Sequence, residues 1–378
     1  LCHRLDESPF YSLQIYEFST FGQNFFSVGS NEIFFLVGFL FLIGLFLAVD
    51  LGVFHKKDHE IRTKEALLWT GIWVSMAMIA GAFIYFFGEK IHGISNWDEL
   101  HQIVEKYGYP VTLDKNNFDQ SLIAYRHNMA LEYLTGYIVE YSLSLDNIFV
   151  IVMIFFSFGI EKIYYHRVLF WGILGAVVMR FVFIFLSSAL IQRFNWILVF
   201  FGALLIYTGI KMFVERNKNQ KIDTKNHPVI RFTAKYFAVD RDYTGHRFFI
   251  RKAGKLFVTS LFIVLLIVEF SDVIFAVDSV PAIFSITKDP YIVYASNIFA
   301  IIGLRSLFFL LINILDKFRF LHIGLSALLV FVGSKMIMPF LPFADGFHIS
   351  TLHSLYVILG IIVLSVVASV LIPEKKRN

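Results

Sequence analysis

Nine stretches of about 20 apolar residues, separated by short charged segments, dominate this chain of 378 residues. That length is decisive, because a helix rises about 1.5 Å per residue and about 20 residues therefore cross the roughly 30 Å hydrocarbon core of a bilayer. The stretches lie near residues 33 to 54, 67 to 88, 129 to 156, 168 to 190, 196 to 214, 256 to 284, 292 to 315, 321 to 341 and 352 to 372. Only 16% of the residues are charged against 57% hydrophobic, where soluble domains carry about a quarter charged. The expected fold is an all-α polytopic membrane protein of about nine transmembrane helices. Residues 1 to 30 form an N-terminal extracytoplasmic segment, 31 to 372 the membrane domain and 373 to 378 a cytoplasmic tail.

The loops orient it. Lys56, Lys57, Arg62 and Lys64 follow the first stretch, Lys162 and Arg167 the third, and Lys317 and Arg319 the seventh; Lys375, Lys376 and Arg377 follow the last. Residues 216 to 254 add ten Lys or Arg against three Asp. All five connections fall on one side of a nine-span chain, and positive charge marks the cytoplasmic side. The opposite connections are poorer in it: 89 to 127 carries four Lys or Arg against six acids, and 342 to 350 carries none. The N-terminus is therefore expected outside and the C-terminus in the cytoplasm, with 89 to 127 an outer loop and 216 to 254 a basic cytoplasmic loop. A net charge of +4 then reflects loops beside acidic lipids rather than nucleic-acid binding. Residues 1 to 30 lack the basic start, apolar run and cleavage site of a signal peptide. The single cysteine, Cys2, supplies neither a disulfide within these residues nor a thiolate cluster. Nucleophile-elbow, P-loop and HExxH signatures are missing, so no enzyme is expected.

Part of the chain repeats. GALLIYTGIKM at 202 to 212 matches SALLVFVGSKM at 326 to 336, aligning Gly209 with Gly333 and Lys211 with Lys335. Arg180 and Arg305 sit midway along the fourth and seventh stretches, and VEYSLSLDN at 139 to 147 parallels VEFSDVIFAVDS at 268 to 279. Three markers in one order define two three-helix units, about 129 to 214 and 256 to 341. With three spans in each, the second unit enters the membrane from the opposite side, so an inverted repeat is expected, with its interface near the midplane. FLAVDLGVF in the first stretch is similar to FAVDSVPA in the sixth and hints at a degenerate third copy through Asp50.

Glu140, Asp146, Glu269, Asp272 and Asp278 all fall within apolar stretches, where each would cost several kcal/mol facing lipid. Arg180 and Arg305 are their internal counter-ions, and two cations against five acids leave a negative surplus. Glu269 and Asp272 share a helical face, whereas Asp272 and Asp278, like Glu140 and Asp146, are six apart and do not. Bringing each pair to one ion would require the helix to open. Pro281 offers a means, since it has no N–H and deprives the Val277 carbonyl, beside Asp278, of its helical partner. Asn147 and Ser279, following the aspartates, add neutral oxygens. Such oxygens suit Mn²⁺, Mg²⁺ or Ca²⁺ rather than Zn²⁺ or Cu⁺.

These residues resemble the TerC family of integral membrane proteins, named for tellurite resistance and linked to manganese export. The similarity is carried by DLGVFHKK at 50 to 57, EYSLSLDNIFV at 140 to 150, HRVLFWGILGAVVMR at 166 to 180, VEFSDVIFAVDSVPAIF at 268 to 284 and SNIFAIIGLRSLFFLL at 296 to 311. The resemblance implies an Mn²⁺ exporter of the cytoplasmic (inner) membrane. Its transport site would comprise Glu140, Asp146, Asn147, Glu269, Asp272, Asp278 and Ser279, with the metal as substrate and no cofactor. Two alternatives stay open: a membrane partner that docks secretion or metal-loading machinery through its loops, and a tellurite or oxyanion transporter that uses the two arginines.

Overall fold

Each apolar stretch becomes a helix because a bilayer offers no partner for backbone N–H and C=O groups, which must then be satisfied within the segment. The computed structural model describes residues 30 to 54, 63 to 194, 196 to 215, 238 to 240, 247 to 252, 255 to 312, 320 to 341 and 351 to 371. Two long helices come first, α1 (Ser30–Phe54) and α2 (Thr63–Phe87), followed by the short α3 (Glu89–His92) and α4 (Trp97–Tyr107). Then come α5 (Phe118–Ser157), α6 (Lys162–Arg193) and α7 (Trp196–Glu215). Strands β1 (Ala238–Asp240), β2 (Phe249–Lys252) and β3 (Lys255–Thr259) precede α8 (Ser260–Phe284). The chain closes with α9 (Pro290–Ile302), α10 (Leu304–Leu311), α11 (Leu321–Ile337), a 3₁₀ turn (Met338–Phe340) and α12 (Thr351–Leu371). Eight of these helices are long and apolar enough to cross a membrane, or nine if α9 and α10, bent by 40° at Gly303, make one span.

Three expectations need correction. The segment 89 to 127 is not an open loop: it holds α3 and α4, and α5 begins at Phe118 rather than near 129. Asn96 and Asn117 cap α4 and α5, accepting from Glu99 N at 2.9 Å and Gln120 N at 3.1 Å, local signals that hydropathy does not weigh. The basic segment 216 to 254 is not wholly loop either, since the sheet β1-β3-β2 draws on it, β1 pairing parallel and β2 antiparallel to β3. Because 255 to 259 is strand, the sixth span starts at Ser260 instead of 256, with the Thr259 hydroxyl accepting from Phe262 N at 3.4 Å. Finally, neither acid-bearing helix opens. Both α5 and α8 run unbroken through their acids, because Pro281 stands only one turn from the end of α8 and the ladder resumes with Ser285 N donating to the Pro281 carbonyl at 3.1 Å. The break instead falls at Gly303, two residues before Arg305.

The helix α9 lies at the centre of the bundle, with every residue from Pro290 to Ile302 buried. It packs on α5, α6 and α2. Between α7 and α11, which carry the repeated elevenmers, the approach is closest: a Cβ on Gly333 would lie 2.6 Å from the Gly202 carbonyl oxygen, and one on Gly209 2.8 Å from that of Ser326. In the repeat alignment Gly202 matches Ser326 and Gly209 matches Gly333, so each contact is the other with the two copies exchanged.

Candidate ion site at the centre of the bundle

Four helices deliver polar groups to one point. Arg180 on α6 is buried, and its guanidinium has five N–H donors and no acceptor. Its Nη1 donates to Glu140 Oε1 on α5 and to Asn297 Oδ1 on α9. Ser279 Oγ on α8 accepts from the same nitrogen at 3.3 Å, and Nη2 reaches Asp272 Oδ1 at 3.5 Å. Oxygens from α5, α8 and α9 thus converge on a cation supplied by α6. Glu140 Oε2 and Asp272 Oδ2 are buried without a hydrogen-bond partner, so two carboxylates carry unspent acceptor capacity in a place where that is costly. Next to Asp272 a cavity of about 20 Å³, lined also by Asn147 and Gly172, is large enough for one water molecule or a desolvated ion.

The remaining sequence-derived residues are distributed around this point. Thr208 on α7 donates to Asp278 Oδ1 at 3.1 Å, which ties Asp278 to one helix of the repeated pair. Glu269, one turn before Asp272, lies over α6, where a Cβ on Gly175 would fall 2.1 Å from its Oε1. It lines an open cavity of about 490 Å³ with Trp171, Val178 and Phe270, all three substantially exposed, so Glu269 borders the lipid side and is not gathered with Glu140. Arg305, expected as an internal counter-ion of the acids, meets His166 Nε2 at 3.0 Å. The Val277 side chain is exposed. The side chains of Asp50 and Asp146 lie outside the described residues, as do Lys56, Lys57, Arg62, Lys317, Arg319 and most of 216 to 254. Among the described residues no three His, Cys, Asp or Glu come close enough to hold a metal together; Arg180 takes the position between Glu140 and Asp272.

Sequence reasoning missed Asn297 and Thr208. Asn297 stands in the SNIFAIIGLR segment, and an amide in an apolar run was the available signal; Thr208 is too ordinary in such helices to announce itself. It also missed a second buried cluster at the helix ends, where His92 at the end of α3 lies between two carboxylates. Its Nδ1 is 2.8 Å from Glu32 Oε1 and its Nε2 is 2.8 Å from Asp289 Oδ2. Burial opposes a charge on His92, but Asp289 and Glu32 outweigh it and raise its pKa from 6.5 to about 9. With both nitrogens donating, the ring is an imidazolium. Burial works equally against the Asp289 carboxylate, yet His92 and the hydrogen bonds of Tyr109 and the Tyr291 backbone hold its pKa below the usual range. Tyr109 donates to Asp289 Oδ2 at 2.6 Å, Tyr291 to Glu32 Oε2 at 3.1 Å, and Lys106 stands 3.8 Å from Glu32. The cluster pins α3 and α4 to the start of α1 and to the turn before α9.

Comparison with known proteins gives relatives along most of the chain. A Myxococcus xanthus protein called "Uncharacterized membrane protein STKORF319" is 40% identical over 92% of this chain and 95% of its own length. An Escherichia coli K12 protein named as membrane-bound redox modulator Alx is 37% identical over 87% of this chain and 91% of its own. A membrane protein of Rickettsia bellii is 37% identical over 79% and 86%. No solved structure matches. Residues 125 to 377, which hold the central arginine, the acids around it and all but the first two long helices, match the model of the integral membrane protein TerC family, and the chain belongs to that family.

Proposed function

We propose that the protein is a secondary transporter that moves a divalent metal ion, Mn²⁺ before others, outward across the cytoplasmic membrane. The observation that carries this reading is the convergence of Glu140, Asp272, Ser279 and Asn297 on the Arg180 guanidinium. A fixed internal cation can hold such oxygens while the site is empty and yield them to an arriving ion, so that the carboxylates are never left buried and uncompensated. The donors are carboxylate, amide and hydroxyl oxygens, a set for hard divalent ions. Asp278, turned toward Thr208, stands one helix away and would join as α7 and α8 shift. The exchanged contacts of Gly202 with Gly333 and Gly209 with Ser326 support an inverted repeat, and alternating access follows when two such halves exchange conformations. The acids can carry protons in exchange for metal. The clustering of loop Lys and Arg supports an outer N-terminus and a cytoplasmic C-terminus.

The other readings have less support. An oxyanion would need arginines free of carboxylates, and Arg180 is engaged by two. The name of the Escherichia coli relative speaks of redox modulation, but Cys2 is the one cysteine of this sequence, so dithiol exchange within it has no second thiol. Docking of secretion or metal-loading proteins through the basic segment would leave the buried central group without a purpose.

Purified protein in liposomes, given radioactive Mn²⁺ with and without a pH gradient, tests the proposal. Wild type should accumulate Mn²⁺ and the Asp272→Asn variant should lose at least tenfold in rate. Equal uptake by liposomes containing wild type and by empty liposomes would refute it.

A further inference from the structure

Glu132 on α5 is an acid that the central group does not use. It is 2% exposed and lies eight residues before Glu140, about 12 Å toward the end of the bundle that carries α3 and α4. One carboxylate oxygen is occupied, Asn128 Nδ2 donating to Oε1 at 2.7 Å. The other, Oε2, has no hydrogen-bond partner, and neither has the hydroxyl of the fully buried Tyr125. Tyr125, Asn128 and Glu132 follow one another at intervals of three and four and so share one face of α5. The Thr287 hydroxyl lies beside the carboxylate, and the Asp289 carboxylate is within electrostatic range. Lys335 on α11 is within range as well, but not in ion-pair contact. From here inward the seam between α5 and α9 stays narrow and partly polar. Thr135 and Ser296 are fully buried, and a Cβ on Gly136 would lie 2.9 Å from Ser296 Oγ. Asn297, one residue further, already belongs to the Arg180 group.

We propose that Glu132, the Tyr125 hydroxyl and Thr287 form a second cation station, at which a divalent ion leaving the Arg180 site pauses on its way to the outer surface. The inference rests on the transport reading above. A partly desolvated divalent ion needs several oxygens and compensating negative charge; the unpartnered Oε2 is an acceptor held ready for it, and the Tyr125 phenol oxygen, next to Tyr109, can add a second. Lys335 gives the station its direction. Its ammonium repels an ion on Glu132 and so keeps the station weak, which release requires; once the ion has gone, the ammonium can close on the carboxylate and block return. A strong site so near the exit would trap the ion instead.

Mn²⁺ titration of the full-length protein in nanodiscs, followed by the loss of the electron paramagnetic resonance signal of free Mn²⁺, tests this. Wild type should bind in two classes, one tight and one weak. Glu132→Gln should remove the weak class and keep the tight one, Asp272→Asn should do the reverse, and Glu132→Asp should retain both. Lys335→Met should tighten the weak class at least tenfold. A Glu132→Gln protein that keeps both classes, or a wild type with a single class, overturns the second station while leaving the transport reading in place. Wild type that binds no Mn²⁺ overturns that reading and this inference with it. Should Glu132→Gln fail to fold, Lys335→Met decides alone, and an unchanged weak class overturns the proposal.

Discussion

Replacing Gly333 with alanine tests whether the α7 and α11 pair is built on backbone contact. The added Cβ would lie 2.6 Å from the Gly202 carbonyl oxygen, 2.9 Å from Ile206 Cγ1 and 3.1 Å from Ile206 N. Real Cβ contacts almost never fall below 3.0 Å, and two of the three neighbours are backbone atoms that no rotamer change can move. The helices must therefore separate by roughly half an ångström along their whole crossing, a strain of about 1–3 kcal/mol for overpacking a tight interface. The better helix propensity of alanine returns up to about 1 kcal/mol, so a net loss of about 1–2 kcal/mol remains. The displacement also reaches Asp278, because Thr208, which donates to it at 3.1 Å, adjoins Gly209 in the same crossing. Equilibrium unfolding in mixed micelles, followed by tryptophan fluorescence, measures the loss. Gly44→Ala and Gly71→Ala, where an added Cβ meets nothing within 4 Å, serve as controls and should be neutral or slightly stabilising. A Gly333→Ala protein as stable as wild type would refute the close-contact account, and with it the link from this crossing to Asp278.

Removing the central cation should be worse. Arg180→Met leaves Glu140 and Asp272 buried without compensation and should destabilise by about 3–5 kcal/mol, a loss that a second change, Glu140→Gln, should partly restore; purely additive losses in the same unfolding assay would show that the two do not act as a pair. At the end of α3, His92 is more basic in the folded chain, about 9, than its ordinary 6.5. Its contribution, on the order of 3 kcal/mol for such a shift, is complete below about pH 6.5 and is lost as pH rises through about 9. Hydrogen exchange of the α3 and α4 segment should accelerate between about pH 6.5 and 9 beyond the intrinsic base-catalysed rate, and His92→Gln should remove that extra pH dependence; wild-type exchange that rises only at the intrinsic rate over that range would contradict the imidazolium bridge.

The helical spans were legible in the sequence because they rest on a local rule. An apolar run of bilayer length has few fates but a helix, and an acid inside such a run must find a partner. GALLIYTGIKM and SALLVFVGSKM are alike as sequence, and the helices that carry them pack against each other. Legibility ended where partners had to be chosen. Glu140 and Glu269 occupy matching places in their motifs, yet Glu140 meets Arg180 while Glu269 lies over Gly175 at the lipid side. His92, Glu32 and Asp289 are 60 and 197 residues apart along the chain, and no spacing rule joins them.

By itself, then, the sequence determined that this is a helical membrane protein of the TerC kind, with charge concentrated between the apolar stretches and in a few acids within them. Tertiary structure alone decided which helix is central and which side chains meet. The reason is physical: in a bilayer the lipid-facing and the buried faces of a helix are equally apolar, so the sequence pattern that separates inside from outside in a soluble protein is nearly silent. The fully buried α9 and the largely lipid-facing α1 and α12 read alike as sequence. Only packing distinguishes them, and it is packing that brings Asn297 of α9 to the guanidinium of Arg180.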